Sequence, residues 1–215
     1  FTKRAYVQYR PRGVVLVYGF MCNRGVWLHW LPRLRAAGHA HVAVNLEPVI
    51  GSIDAYIDAI EQAVQRVTAA TGQPPVLLCH SMGNFVLENT LWHLRKNISG
   101  KLPRVFGQIV LASADVDNDA LESENKLGRL PEIGRRISLY YNTGDEALML
   151  SDTTKGNRDR LGQRGPKHPL DVPGGVVNVD CSDIVDGLVE HSYYLDEAFP
   201  DVAAMRAVIE QAAGV

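Results

Sequence analysis

The sequence predicts an α/β protein, with a mostly parallel sheet of about six or more strands flanked by helices. Three observations predict it. Short β-branched runs recur along the chain, helical periodicity fills most of the gaps, and neither an internal repeat nor a linker interrupts the alternation. The expectation is one domain spanning residues 1–215, long enough to bury a substantial core.

The strand candidates are Val14–Tyr18, Val42–Leu46, Val76–Cys79, Gln108–Ala112, Ile137–Tyr141 and Val176–Asp180, each reading as a buried parallel strand. The clearest helix runs from Ser52 to Thr71. Ile53, Tyr56, Ile57, Ile60, Val64 and Val67 recur there at three- and four-residue steps and line one face. Ser52 is placed to cap its start, and Gly72 with Pro74-Pro75 stops it. A second helix starts just after Ser81 with Leu87, Leu91 and Leu94 inward, and a third runs from about Pro200 to Ala213. Two polar stretches are expected at the surface: Asn118–Gly134 as a short helical flap, and Asp152–Pro173 as a long excursion bordering a site.

With 46% hydrophobic residues, 21% charged residues and a net charge of −2, the composition is that of an ordinary globular protein. It gives no electrostatic reason to expect nucleic acid or an anionic membrane as partner. No apolar run approaches the roughly 20 residues of a membrane span. The opening FTKRAYVQYRPRG lacks a hydrophobic secretory core. The expectation is a cytoplasmic protein, or a secreted one whose leader has been removed. Cys22, Cys79 and Cys181 are odd in number and widely spaced, which argues for buried thiols and against a disulfide framework or a zinc site.

Chemistry concentrates at three strand ends. Ser81, in CHSMG, follows a strand and precedes a helix, where a sharp turn lifts a hydroxyl above the sheet edge. Gly83 is in place for that turn; Cys79 stands where a first glycine is usual. Asp145 follows the fifth strand in YYNTGDEAL, and His191 follows the last in the segment ending EHSYYL. A serine hydroxyl needs a base to accept its proton, and the base needs a carboxylate to hold its tautomer. Ser81, His191 and Asp145 supply that set. Asp115 and Asp117, just past the fourth strand, compete with Asp145 as the acid, Asp115 being the nearer rival, and a serine that merely caps a helix competes with a nucleophile. His168 reads as a surface residue; His80 belongs to the turn. The oxyanion site needs two backbone N–H donors. Met82 supplies one. Phe20, or else Met21, supplies the other from the loop after Gly19, braced by Asn23 and Arg24. Trp27, Met21 and His80 are candidates for the substrate-binding wall.

LLCHSMGN, YYNTGDEAL and EHSYYL resemble the nucleophile, acid and histidine segments of the α/β-hydrolase superfamily over nearly the whole chain. The later half (LASADVD, TGDEAL, DRLGQRGP, HSYYL) is similar to a bacterial branch of uncharacterised members. The earlier half, GFMCNRGVWLHWLPRL to NLEPVIGSIDAYI, looks more like bacterial lipases and esterases, as in a sequence of mixed or reconstructed ancestry. The resemblance implies carboxylic-ester hydrolysis through an acyl-enzyme, with no metal or organic cofactor. Tyr18 departs from the histidine that many relatives carry before the oxyanion-loop glycine, which puts the support of that loop in question. Little chain remains for a large cap domain, so the expected substrate is a small-molecule ester with a short or medium acyl group. Thioester or amide hydrolysis, acyl transfer, or a catalytically silent binding protein are the alternatives. The oligomeric state is open.

Overall fold

The computed structural model describes residues 11–19, 27–28, 30–46, 53–149, 159–185 and 191. Six parallel strands form one sheet: β1 (Val14–Val17), β2 (His41–Ala43), β3 (Val76–His80), β4 (Gln108–Ala112), β5 (Ile137–Tyr141) and β6 (Val176–Asp180). Their order is β2-β1-β3-β4-β5-β6. The chain first steps outward from β1 to β2, then returns past β1 to place β3 on its other side. That reversal opens a crevice above the carboxyl ends of β1 and β3, where open α/β sheets bind ligands.

Alternation along the strands divides the core into two layers. Val15, Val17, Leu77, Cys79, Ile109, Leu111, Ile137 and Leu139 face one side. Helices α2 (Ile53–Thr71) and α3 (Gly83–Asn97) cover it through Tyr56, Ile60, Val67, Val86, Leu87 and Leu91. Val14, Leu16, Val76, Leu78, Val110, Ala112 and Tyr140 face the other, under Trp27 and helix α1 (Trp30–Ala36) with its Trp30 and Leu34. Leu94, at the end of α3, is partly buried against the first layer, as its spacing predicts.

Four expectations need correction. The second strand is shorter and earlier than Val42–Leu46. Val44 still donates its N–H to Leu16 O at 2.8 Å, but the Leu46 N–H turns instead to the Tyr18 hydroxyl at 3.4 Å. Among the described residues the strands β2 and β6 are the sheet edges and are not buried; Val177 is 54% exposed. The segment Asn118–Gly134 is no flap, because Ala120, Leu121, Leu127, Leu130 and Ile133 are sunk in the core and helix α4 (Leu130–Ile133) is part of that layer. Within Asp152–Pro173 the stretch 160–163 is no surface excursion either: Arg160, Leu161 and Gln163 are buried, and the short helix Leu161–Arg164 packs against β5, while Lys167–Asp171 is exposed as expected. Ser52, Cys22, Asn23, Arg24 and the expected Pro200–Ala213 helix lie outside the described residues. Among the described residues no cap domain stands over the sheet, and no helix is long and apolar enough to cross a membrane.

Candidate active site

Ser81 sits one residue beyond β3 with a φ of 52°. A non-glycine residue there is strained by about 1–3 kcal/mol and persists only where its surroundings dictate it. They do. The Ser81 N–H donates to Ala112 O at 3.1 Å, and its carbonyl accepts from the Asn84 N–H at 3.1 Å and the Asp115 N–H at 3.2 Å. The buried Asn84 amide adds a bond to the same carbonyl at 3.0 Å and reaches Cys79 O and Ala112 O, both at 3.3 Å. The turn is therefore pinned on both sides of the hydroxyl.

Two glycines make the approach close enough. A Cβ at Gly83 would lie 2.7 Å from Val17 O, so a side chain there would hold α3 off β1. A Cβ at Gly19 would lie 2.9 Å from Met82 N and 3.2 Å from Ser81 Oγ. The end of β1 thus presses directly on the serine turn, beside the Met82 N–H. Phe20 and Met21, the candidates for the second oxyanion donor, lie outside the described residues. Tyr18 ties this strand end to the stretch after β2: its hydroxyl donates to Asn45 Oδ1 at 2.7 Å.

Asp145 caps a helical turn, 146–149, just past β5. Its carboxylate is wholly buried and accepts the Leu148 N–H at 3.1 Å. The turn before it is drawn tight by Asn142, whose Oδ1 accepts the Gly144 N–H at 3.0 Å and whose backbone carbonyl accepts the Asp145 N–H at 3.1 Å. Thr143 bonds Ser182 Oγ at 2.9 Å, lashing this turn to the loop that follows β6. His191 arrives on the same side of the sheet, and its Nδ1 lies 2.8 Å and 3.1 Å from the two Asp145 oxygens.

The competing acid is engaged elsewhere. Arg160, almost fully buried, holds Asp115 at 3.6 Å and Asp117 at 2.9 Å. Lys126 binds Asp117 at 3.0 Å and also Asp119. Composition alone hides this cluster, since Arg160 comes from a stretch rich in Gly, Pro and Arg.

Other expectations fall differently. His168 pairs with Glu122 at 2.9 Å on the surface, as its flanking residues suggest. Trp27 and His80, expected on the substrate wall, are both fully buried, with ring centroids 6.2 Å apart in an edge-on arrangement. The His80 ring stands 4.7 Å from that of His191. Burial, and then the neighbouring His191, lowers the His80 pKa to about 3. His80 is therefore neutral near neutrality. Cys79, in the position of the usual first glycine, faces the core beneath the turn, and burial pushes its thiol well up. Its side chain points away from the crevice, which is why a residue larger than glycine fits. Cys79 and Cys181 are both buried. Ser113, which sequence reasoning passed over, donates its hydroxyl to the His191 carbonyl at 2.8 Å.

The fold has many structural counterparts. Over 98% of this chain and 59% of the other, it superposes on Aspergillus fumigatus lipase B with a TM-score of 0.58 and 14% identity. This chain thus spans about three fifths of the fungal lipase. Bacillus licheniformis lipase BlEst2 in mature form gives a TM-score of 0.55 at 11% identity, with 94% of this chain and 93% of that one covered. Paleococcus ferrophilus monoacylglycerol lipase gives 0.54 at 13% identity, covering 95% of each. At such identities the likeness concerns the fold. No curated protein matches the chain. A family model described as "Alpha/beta hydrolase of unknown function (DUF900)" matches residues 47–209. With its six-stranded parallel sheet and with most of its length matched by that model, the chain belongs to this family of α/β hydrolases.

Proposed function

We propose that the protein is a serine esterase acting on small-molecule carboxylic esters with short or medium acyl groups, with Ser81 as nucleophile, His191 as general base and Asp145 as its orienting acid. The observation that carries this reading is the buried Asp145 carboxylate bonded to His191 Nδ1 at 2.8 Å, on the sheet edge where Ser81 is held at a φ of 52°. A carboxylate in that position requires the proton on Nδ1 and leaves Nε2 with its lone pair, the form in which an imidazole accepts a proton.

In the proposed reaction, Ser81 Oγ attacks the ester carbonyl while its proton passes to His191 Nε2. The carbonyl oxygen takes up negative charge, met by the Met82 N–H and by the N–H of Phe20 from the loop after Gly19. His191 then delivers its proton to the departing alkoxide, leaving an acyl-serine and a free alcohol. Water repeats the sequence on the acyl-enzyme, giving up its proton to His191 and releasing the acid. Asp145 remains ionised throughout and stabilises the imidazolium formed at each stage.

The test is incubation with a fluorophosphonate followed by peptide mapping, together with p-nitrophenyl acetate and butyrate as substrates. Labelling at Ser81, abolished in Ser81→Ala, and turnover of either ester are the expected outcomes. Absence of both labelling and turnover in the intact protein rejects the esterase and leaves the fold a binding module.

A further inference from the structure

The bond to Asp145 fixes how the His191 ring is turned, but a ring can pivot about an unanchored backbone. Two buried side chains from two strand ends converge on the main chain of that same residue. Ser113 Oγ, just past β4, donates to His191 O at 2.8 Å, and His80 Nε2, the last residue of β3, lies 3.3 Å from the same oxygen. A carbonyl oxygen only accepts, and it has two lone pairs. His80 therefore carries its proton on Nε2.

Both Ser113 and His80 are wholly shielded from solvent. Ser113 also holds a φ of 43°, a conformation an ordinary residue leaves if it can. A buried serine that needed only some acceptor could bond its own local backbone without such strain. Here the strained backbone directs the hydroxyl across 78 positions of sequence to one oxygen. We propose that Ser113, together with His80, forms a two-donor clamp that positions His191 by its main chain, making Ser113 a positioning residue for the base. The clamp keeps the His191 Cα fixed while the ring exchanges protons. It rests on His191 being the base assigned above. His80 adds no second positive charge beside an imidazolium, because it stays neutral at working pH.

The experiment uses Ser113→Gly and Ser113→Ala in the full chain. Both remove the donor, but only glycine also relieves the positive φ. Three quantities are read: kcat and KM on p-nitrophenyl butyrate, the NMR signal of the His191 Nδ1 proton, and the melting temperature. The expected result is a kcat about 10- to 100-fold lower in both variants with KM little changed, and a His191 Nδ1 proton broadened by exchange with water. The glycine variant should melt no lower than the parent. If both variants keep the parental kcat and a sharp Nδ1 proton, the clamp is overturned. It is equally overturned if Ser113→Ala loses them and Ser113→Gly keeps them, since strain and not the hydroxyl would then decide. A parent protein that hydrolyses no ester rejects the esterase reading, and the Nδ1 proton still decides the clamp.

Discussion

His191 Nδ1 bonds both carboxylate oxygens of Asp145, at 2.8 and 3.1 Å, while the neighbouring candidate Asp115 faces Arg160 at 3.6 Å. The two aspartates therefore lose different things on neutralisation. Asp145→Asn should lower kcat by about 10⁴-fold with the fold intact, because an amide no longer enforces the Nδ1–H tautomer. Asp115→Asn should leave kcat within about tenfold and instead cost about 1–3 kcal/mol of stability, as Arg160 is buried beside it. Paired ester kinetics and urea unfolding of the two variants check this; the reverse pattern would reassign the acid.

Strain at the serine makes a second contrast. Ser81→Gly removes the hydroxyl and relieves the φ of 52°. The variant should lose all fluorophosphonate labelling yet gain about 1 kcal/mol of stability, where Ser81→Ala loses labelling with no such gain. Denaturant midpoints of the three proteins decide it.

Gly19 and Gly83 should fail in different ways. A methyl at Gly19 meets Met82 N at 2.9 Å, at the proposed oxyanion donor. Gly19→Ala should therefore cut kcat by about 10²–10³-fold, as loss of such a donor does. A methyl at Gly83 meets the Val17 carbonyl at 2.7 Å, where two backbones pack and neither yields cheaply. Gly83→Ala should first lower the melting temperature, with a cost of about 1–3 kcal/mol.

Glu88, on α3, should impose a pH dependence on stability. Burial raises its pKa from 4.5 to about 7, with Lys126 and Arg160 pulling it down and Asp117 and Asp119 pushing it up. Its Oε2 is buried and has no hydrogen-bond partner among the described residues. The native state thus binds this proton more tightly than the unfolded chain, so stability falls as pH rises between 4.5 and about 7, then levels off. Glu88→Gln should abolish that part of the slope and be more stable than the parent at pH 8 by roughly 1–3 kcal/mol. Urea unfolding across pH 4–8 measures both curves.

What was legible from sequence follows from how local each signal is. Strands β1, β3, β4 and β5 are apolar because both faces are covered, so composition alone marks them. Composition cannot tell that β6 stands at the edge, since Val176-Val177-Asn178-Val179-Asp180 differs from a central strand only in which neighbours exist. Ser81, Asp145 and His191 stand out because each follows a strand in a short stretch with its own signature. Ser113 and Arg160 carry no such mark. Ser113 acts on a carbonyl far along the chain, and Arg160 is buried only because Asp115 and Asp117, more than forty positions earlier, are there to receive it.

Neighbouring strands β3 and β4 both run out into left-handed serines, Ser81 and Ser113. Laboratory evolution that rewards heat resistance alone would be drawn to glycine at both positions. It would then enrich sturdier proteins that have lost their chemistry, so any campaign to harden this molecule should select on turnover from its first round.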